Sequence, residues 1–205
     1  MNNISKAIYQ NTARQIIYLV VLSLIVVGFW KIGDIYKNGA VLENGIFEVI
    51  QSVVLALAAL IFGISSLRNK ELRPILFLMS MMMLSADIRE QDAFFDELIP
   101  VIGWKWCWIF PVVGIVNIIR NRSSLQTQVN TFLTSNSFHM MMTAAILMIP
   151  VAQCLGHRSF MADLLNNKMY DAVLVRRILE ELVELIAYIM LVFAAIESML
   201  EFRKK

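Results

Sequence analysis

Six long blocks of apolar residues constrain this chain more than any other feature of it. They run over Ile16–Trp30 (about 16–32 with its flank), Ile46–Leu67, Pro74–Ile88, Leu98–Ile119, Phe138–Leu155 and Ile178–Leu200. A helix needs about 20 residues to cross the roughly 30 Å hydrocarbon core, and about 15–17 suffice where flanking side chains reach the interface or the bilayer thins. Inside hydrocarbon every backbone N–H and C=O must be bonded within the protein, and a helix does this locally. The expected fold is therefore all-α: a polytopic transmembrane helical bundle of about six spans, forming a single domain over residues 1–205. Composition agrees, with 59% of the 205 residues apolar and 17% charged, against roughly 45–50% apolar in soluble domains.

Lys6 and Arg14 precede the first block, but no small-residue cleavage site follows it, so it is read as an uncleaved span rather than a signal peptide. Orientation follows from basic residues near the span ends. With the N-terminus inside, the inner segments carry Lys6, Arg14, Arg68, Lys70, Arg73, Arg120, Arg122, Arg203, Lys204 and Lys205. Of the 16 acidic residues only Glu71, Glu197 and Glu201 are inner. An even number of spans also keeps the basic C-terminus inside, so N-in/C-in with six spans is preferred over five. Lys105 and Pro111 make the fourth span the weakest of the set. A bacterial inner (plasma) membrane is the expected location, with the lipid bilayer as the principal partner. The net charge of +2, with no basic run interleaved with aromatics, excludes nucleic acid as an expected partner.

Cys107 and Cys154 lie in apolar segments without metal-ligand spacing and read as buried thiols. MSMMML and FHMMM, the latter containing His139, read as packing rather than soft-metal ligation. Trp104, Trp106 and Trp108 around Lys105 read as an interfacial anchor. Phosphate loops, nucleophile elbows, zincin and dinucleotide motifs are all missing from the sequence.

Four polar motifs fall at the outer ends of the spans. They are ENGIFEVIQ with Glu43, Glu48 and Gln51, ADIREQD with Arg89, Glu90 and Asp92, CLGHR with His157, and RRILEELVEL with Arg177, Glu180, Glu181 and Glu184. Helical spacing puts Arg177, Glu180, Glu184, Tyr188, Leu191 and Ala195 on one stripe, so Glu184 and Tyr188 are expected to face the bundle. Glu48, Ser52, Ala56, Ala59 and Gly63 form a second stripe, whose small residues permit close helix approach. Charge deep in a span costs on the order of 2.5–3.5 kcal/mol by insertion scales and so tends to face the interior, pair, or touch water. These residues are the expected lining of one polar, net acidic site, with Arg89 and Arg177 pairing carboxylates and Glu48 and Glu184 free to bind a cation or exchange a proton. No cofactor or dedicated metal site is expected. A cation at the carboxylate cluster, a lipid headgroup or a membrane-protein partner are the ligands such a site would accept, and the oligomeric state is left open. A solvated rim of local Arg–Glu pairs is the alternative.

ENGxxE entering a span, RExD after the next, and EExxEL opening the last resemble a pattern seen among small multi-pass bacterial inner-membrane proteins of unassigned function. The resemblance implies a fold of this kind and no activity. Alkaline-ceramidase-like membrane hydrolases also carry acidic and histidine residues in their bundles, but their several-histidine zinc site has no counterpart here. Three function classes follow: a binding, sensing or accessory membrane protein, which is preferred; a small cation- or proton-coupled transporter; and an intramembrane enzyme acting on a lipid or envelope precursor, which would need His157 or a metal.

Overall fold

A computed structural model of the chain describes residues 3–36, 45–99, 101–122, 125–157 and 172–202. The described residues are helical apart from turns, and they divide into two units, Met1–Ala40 and Val41–Lys205. The first unit holds α1 (Asn3–Tyr36), whose stretch Tyr9–Phe29 is long and apolar enough to cross a membrane.

In the second unit α2 (Ile46–Arg68) and α3 (Arg73–Glu90) form an antiparallel hairpin. Asn69 closes it from both sides: its side-chain oxygen accepts from the Leu72 N–H at 2.9 Å while its amide donates to the Phe202 carbonyl at 3.0 Å. Pro74 then occupies the first turn of α3, where a missing N–H costs nothing. α4 (Asp92–Leu98) leads through a 3-10 turn, Gly103–Trp108, into α5 (Ile109–Arg120). α6 (Leu125–Leu133) precedes α7 (Asn136–Ile146), which continues as a π-helical turn, Leu147–Ala152, into α8 (Gln153–Gly156). Pro150 lies in the π turn, where its missing N–H cannot close the regular i→i−4 bond. The last helix is α9 (Ala172–Glu201).

Packing proceeds in the order α5, α3, α2, α9, α7. The core lies where α2, α3, α7 and α9 meet, around Leu55, Ala58, Phe62, Leu76, Ala187, Leu191 and Ala195. α2 buries Phe47, Leu55 and Phe62 on one side while exposing Val49, Val53, Leu57 and Leu60 on the other. α5 exposes Ile109, Val112, Val116 and Ile119. Helices apolar on both faces, packed on one and bare on the other, fit hydrocarbon as the solvent.

Four stretches are long and apolar enough to span a membrane: Tyr9–Phe29, Ile46–Arg68, Asn136–Gly156 and Val175–Glu201. A fifth is added if Asp92–Leu98 and Gly103–Arg120 count as one broken span. This differs from the six blocks in two places. The third block packs as α3, but Arg73, Asp87, Arg89 and Glu90 fall within its 18 residues, which dilutes its apolar character. The fourth, expected as a continuous Leu98–Ile119 helix, is bent by 104° between α4 and the segment that follows. Gly103 sits in this elbow at φ +56°, and a Cβ there would collide with the Asp96 carboxylate. Asp96 also accepts from the Trp104 N–H at 3.2 Å, so the turn is held by a residue that could not serve a straight span. The α3–α5 contact is equally tight: a Cβ on Gly114 would lie 3.1 Å from the Leu78 Cα.

Candidate functional site

Five elements of the second unit bring polar side chains to one end of the bundle. α2 supplies Glu48 from its first turn, where the helix dipole favours an acid. Arg89 and Glu90 end α3, and Asp92, Ala93 and Asp96 come from α4. α8 adds Gln153, and α9 adds Arg176, Arg177, Glu180, Glu181 and Glu184. Together they line a cleft of about 520 Å³, within the roughly 300–1,000 Å³ typical of small-ligand pockets. Among the described residues the lining carries seven carboxylates and three guanidinium groups.

Contacts between distant parts of the chain fix the walls. The Tyr188 hydroxyl, buried on α9, donates to Glu90 Oε1 at 2.7 Å. Gln51 is wholly buried, and its Nε2 donates to Glu181 Oε2 at 2.9 Å and to the Glu181 carbonyl at 3.3 Å. Beside the cleft Ser52 donates to Asp87, and Gln91 donates to Ser52 and to Asp87. Arg176 donates to the Gly156 carbonyl at 2.6 Å, joining the start of α9 to the end of α8. Among the described residues, Gln51 Oε1, Arg176 Nε and, beside α4, Trp106 Nε1 are buried without a hydrogen-bond partner.

Arg89 lies 3.7 Å from Glu90, but with its side chain 61% exposed the pair is water-screened and weak. Glu90, past the apolar stretch of α3 and with 12% of its side chain exposed, has its carboxyl held above the usual value of 4.5. Burial is the main cause; the Tyr188 hydrogen bond and Arg89 oppose it, while Glu48 and Asp92 add to it.

Of the residues singled out in the sequence, Glu48, Arg89, Glu90, Asp92, Arg177, Glu180, Glu181 and Glu184 line this cleft, and Gln51 stands behind its wall. His157 is exposed at the end of α8 and is not among the lining residues. Glu43 lies outside the described residues. Cys107 is buried and Cys154 exposed, whereas both were expected to be buried. Asp96 and Gln153 line the cleft without having been singled out, while Tyr188 is buried on the α9 stripe as its spacing implied. Helical spacing from Asp92 and from the α9 stripe indicates Asp96 and Tyr188, but nothing local marks Gln153. The α2 stripe expected to pack does so unevenly: Ala59 is buried and its carbonyl accepts from Ser80 at 2.8 Å, while Ala56 is exposed.

At the other end of α9 a second set of buried polar groups comprises Glu197, Ser198, Ser65 and Ser137. Ser198 and Ser65 Oγ are 3.3 Å apart, and Ser137 donates to the Ala194 carbonyl at 2.8 Å. These bonds join α2, α7 and α9. Between the two ends the core is apolar apart from Ser80, whose hydroxyl bonds the Ala59 carbonyl.

Among the described residues no three of His, Cys, Asp and Glu are arranged to hold a metal ion. Comparison with known proteins finds no matching family model, no similar curated protein and no similar solved structure.

Proposed function

We propose that this chain is a binding protein of the bacterial inner membrane, with six passes and both termini cytoplasmic, whose extracytoplasmic cleft takes a ligand carrying a protonated amine. The observation that carries the reading is the lining itself: among the described residues, seven carboxylates against three guanidinium groups in one cleft of about 520 Å³. Such an excess calls for positive charge, because like charges gathered in a site partly withdrawn from water are costly. An ammonium group offers N–H donors to several carboxylates at once.

Binding is favoured over transport because the floor of the cleft closes on apolar side chains. Past Tyr188 come Leu191, Ala194 and Ala195 on α9, facing Leu55, Ala58 and Ala59 on α2, all buried. Among the described residues the lining holds no His, Ser or Cys from which a nucleophile–base pair could be built. The motifs that resemble those of small multi-pass inner-membrane proteins supply Glu48, Glu90, Asp92, Glu180, Glu181 and Glu184, all in this one place. Placing it outside rests on the distribution of Lys and Arg, and counting α3 and the bent α4–α5 segment as passes gives six.

The test is thermal unfolding of the purified chain in detergent with putrescine or with the uncharged 1,4-butanediol. A ligand at 100 times its dissociation constant stabilises the folded state by about 2.7 kcal/mol. Putrescine should raise the melting temperature, butanediol should not, and Glu181→Gln with Glu184→Gln should remove the difference. Equal effects of the two compounds on the unmodified chain would contradict the reading.

A further inference from the structure

The segment Gly103–Arg120 is long enough to cross the membrane without help from α4. At rises of about 2.0 Å per residue in the 3-10 turn Gly103–Trp108 and about 1.5 Å in α5, it extends about 30 Å, the thickness of the hydrocarbon core. Its ends carry the residues of a membrane interface, Trp104, Lys105 and Trp108 at the start and Arg120 at the finish. α4 meets this segment at 104°. A span tilted by about 20° from the membrane normal therefore leaves α4 within about 35° of the membrane plane.

The side chains of α4 are sorted to suit that position. Asp92 and Asp96, four residues apart, share one side and line the cleft with Ala93. Phe94 and Leu98, also four apart, share another side and are 51% and 61% exposed. The turn that follows adds Val101, 93% exposed, and Ile102, 51% exposed. Phe95 fixes the roll of the helix. Its ring packs edge-on against Trp106 with centroids 5.5 Å apart, and Trp106 packs against Phe110 at 5.5 Å. The Phe95 side of α4 thus faces along the spanning segment, toward hydrocarbon, while Ala93 and Glu97, two positions to either side and so on the opposite face, point away from it and are exposed.

Single exposed apolar side chains need no partner. Four together at the mouth of a span do, and the lipid that surrounds the span is already at their level. We infer that α4 and the elbow after it form an interfacial arm, lying on the leaflet at the cleft end with Phe94, Leu98, Val101 and Ile102 sunk among the outermost acyl carbons. The pass made here is Gly103–Arg120 alone. Amphipathic helices of this kind sit about 5–10 Å into the boundary between headgroups and acyl chains. Because Asp92, Ala93 and Asp96 of the arm form one wall of the cleft, that wall is held at headgroup level, and exposed Lys105 lies among the lipid phosphates. The arm holds this place whichever ligand the cleft takes and whichever side of the membrane it faces.

The experiment measures depth with nitroxide spin labels placed one at a time on Leu98→Cys, Val101→Cys, Ala93→Cys, Glu97→Cys and Val112→Cys. The full chain carries Cys107→Ala and Cys154→Ala and is reconstituted in phosphatidylcholine vesicles. Relaxation by oxygen, which concentrates in lipid, is compared with relaxation by a water-soluble nickel chelate. Labels at positions 98 and 101 should lie about 5–10 Å below the headgroups, those at 93 and 97 in water, and that at 112 near the bilayer middle, about 15 Å deep. Ile102→Cys takes the place of either apolar-side variant that does not fold. Labels at 98 and 101 as open to the chelate as those at 93 and 97 would put the arm in water and overturn the inference. Labels there as deep as that at 112 would make α4 part of the span and overturn it equally.

Discussion

Replacing Tyr188 by Phe removes a single oxygen from the wall of the cleft. That oxygen donates to Glu90 Oε1 at 2.7 Å from a side chain 2% exposed. A hydrogen bond to a charged group contributes about 1.5–3 kcal/mol in soluble proteins, and side-chain bonds between membrane helices average nearer about 0.6 and reach about 1.7. Glu90 lies where the two regimes meet, so Tyr188→Phe should cost about 1–2 kcal/mol. Arg89 cannot make up the loss, being 3.7 Å away and mostly in water.

The sign of the pH dependence follows from Glu90. Its folded-state pKa is raised above the usual 4.5, so its contribution to stability is fully present below that value and is lost as pH rises through the raised one. The Tyr188 bond opposes this rise. Removing it should therefore hurt more at pH 8, toward the ionised side of that shift, than near pH 4, below it. The assay is reversible unfolding in mixed micelles for the unmodified chain, Tyr188→Phe, Glu90→Gln and the double variant. In the Glu90→Gln background the acceptor is neutral and the hydroxyl deletion should cost only about 0.5–1.5 kcal/mol. A Tyr188→Phe effect that is the same at both pH values, with additive single and double variants, would refute the reasoning.

Other positions give independent expectations. Gly114→Ala should destabilise by about 1–3 kcal/mol, since its Cβ would press on the Leu78 backbone; a melting temperature equal to that of the parent would show that the α3–α5 contact is looser than described. Gly103→Ala should disturb the α4–α5 elbow, both through its positive φ and through Asp96, and Asp96→Ala in the same chain should relieve only the steric part. Ser137→Ala removes one bond to the Ala194 carbonyl and should cost less than about 1 kcal/mol in the same unfolding assay.

The sequence revealed the helices better than their partners. α2 and α9 are legible because a run of about 20 apolar residues must satisfy its own backbone. Inward-facing positions on α9 are legible because Glu184 and Tyr188 share a stripe with Leu191 and Ala195, the last three of which are buried. On α2 the same reasoning loses force. With Val49, Val53 and Leu57 bare and Phe47, Leu55 and Phe62 buried, both faces are apolar and periodicity does not say which one packs. The elbow between α4 and α5 was signalled only by Lys105 and Pro111; its actual cause, Gly103 with Asp96, reads locally as ordinary loop residues. Pairings such as Tyr188 with Glu90 and Gln51 with Glu181 join residues far apart in the chain. Each motif shows that a polar residue needs a partner, but not which one.

The central claim is that the starts of α2 and α9 face one outward-opening cleft. It is tested most directly by crosslinking Glu48→Cys with Glu184→Cys in a Cys107→Ala, Cys154→Ala chain in intact inner-membrane vesicles and in spheroplasts. Ser65→Cys with Ser198→Cys, whose parent hydroxyls are 3.3 Å apart, serves as the control for an intact fold. A short membrane-impermeant bis-maleimide should join positions 48 and 184 in spheroplasts, where the outer face is accessible, and not in sealed inside-out vesicles. Failure to crosslink in spheroplasts while the control pair forms its disulfide, or crosslinking only from the cytoplasmic face, would contradict the account.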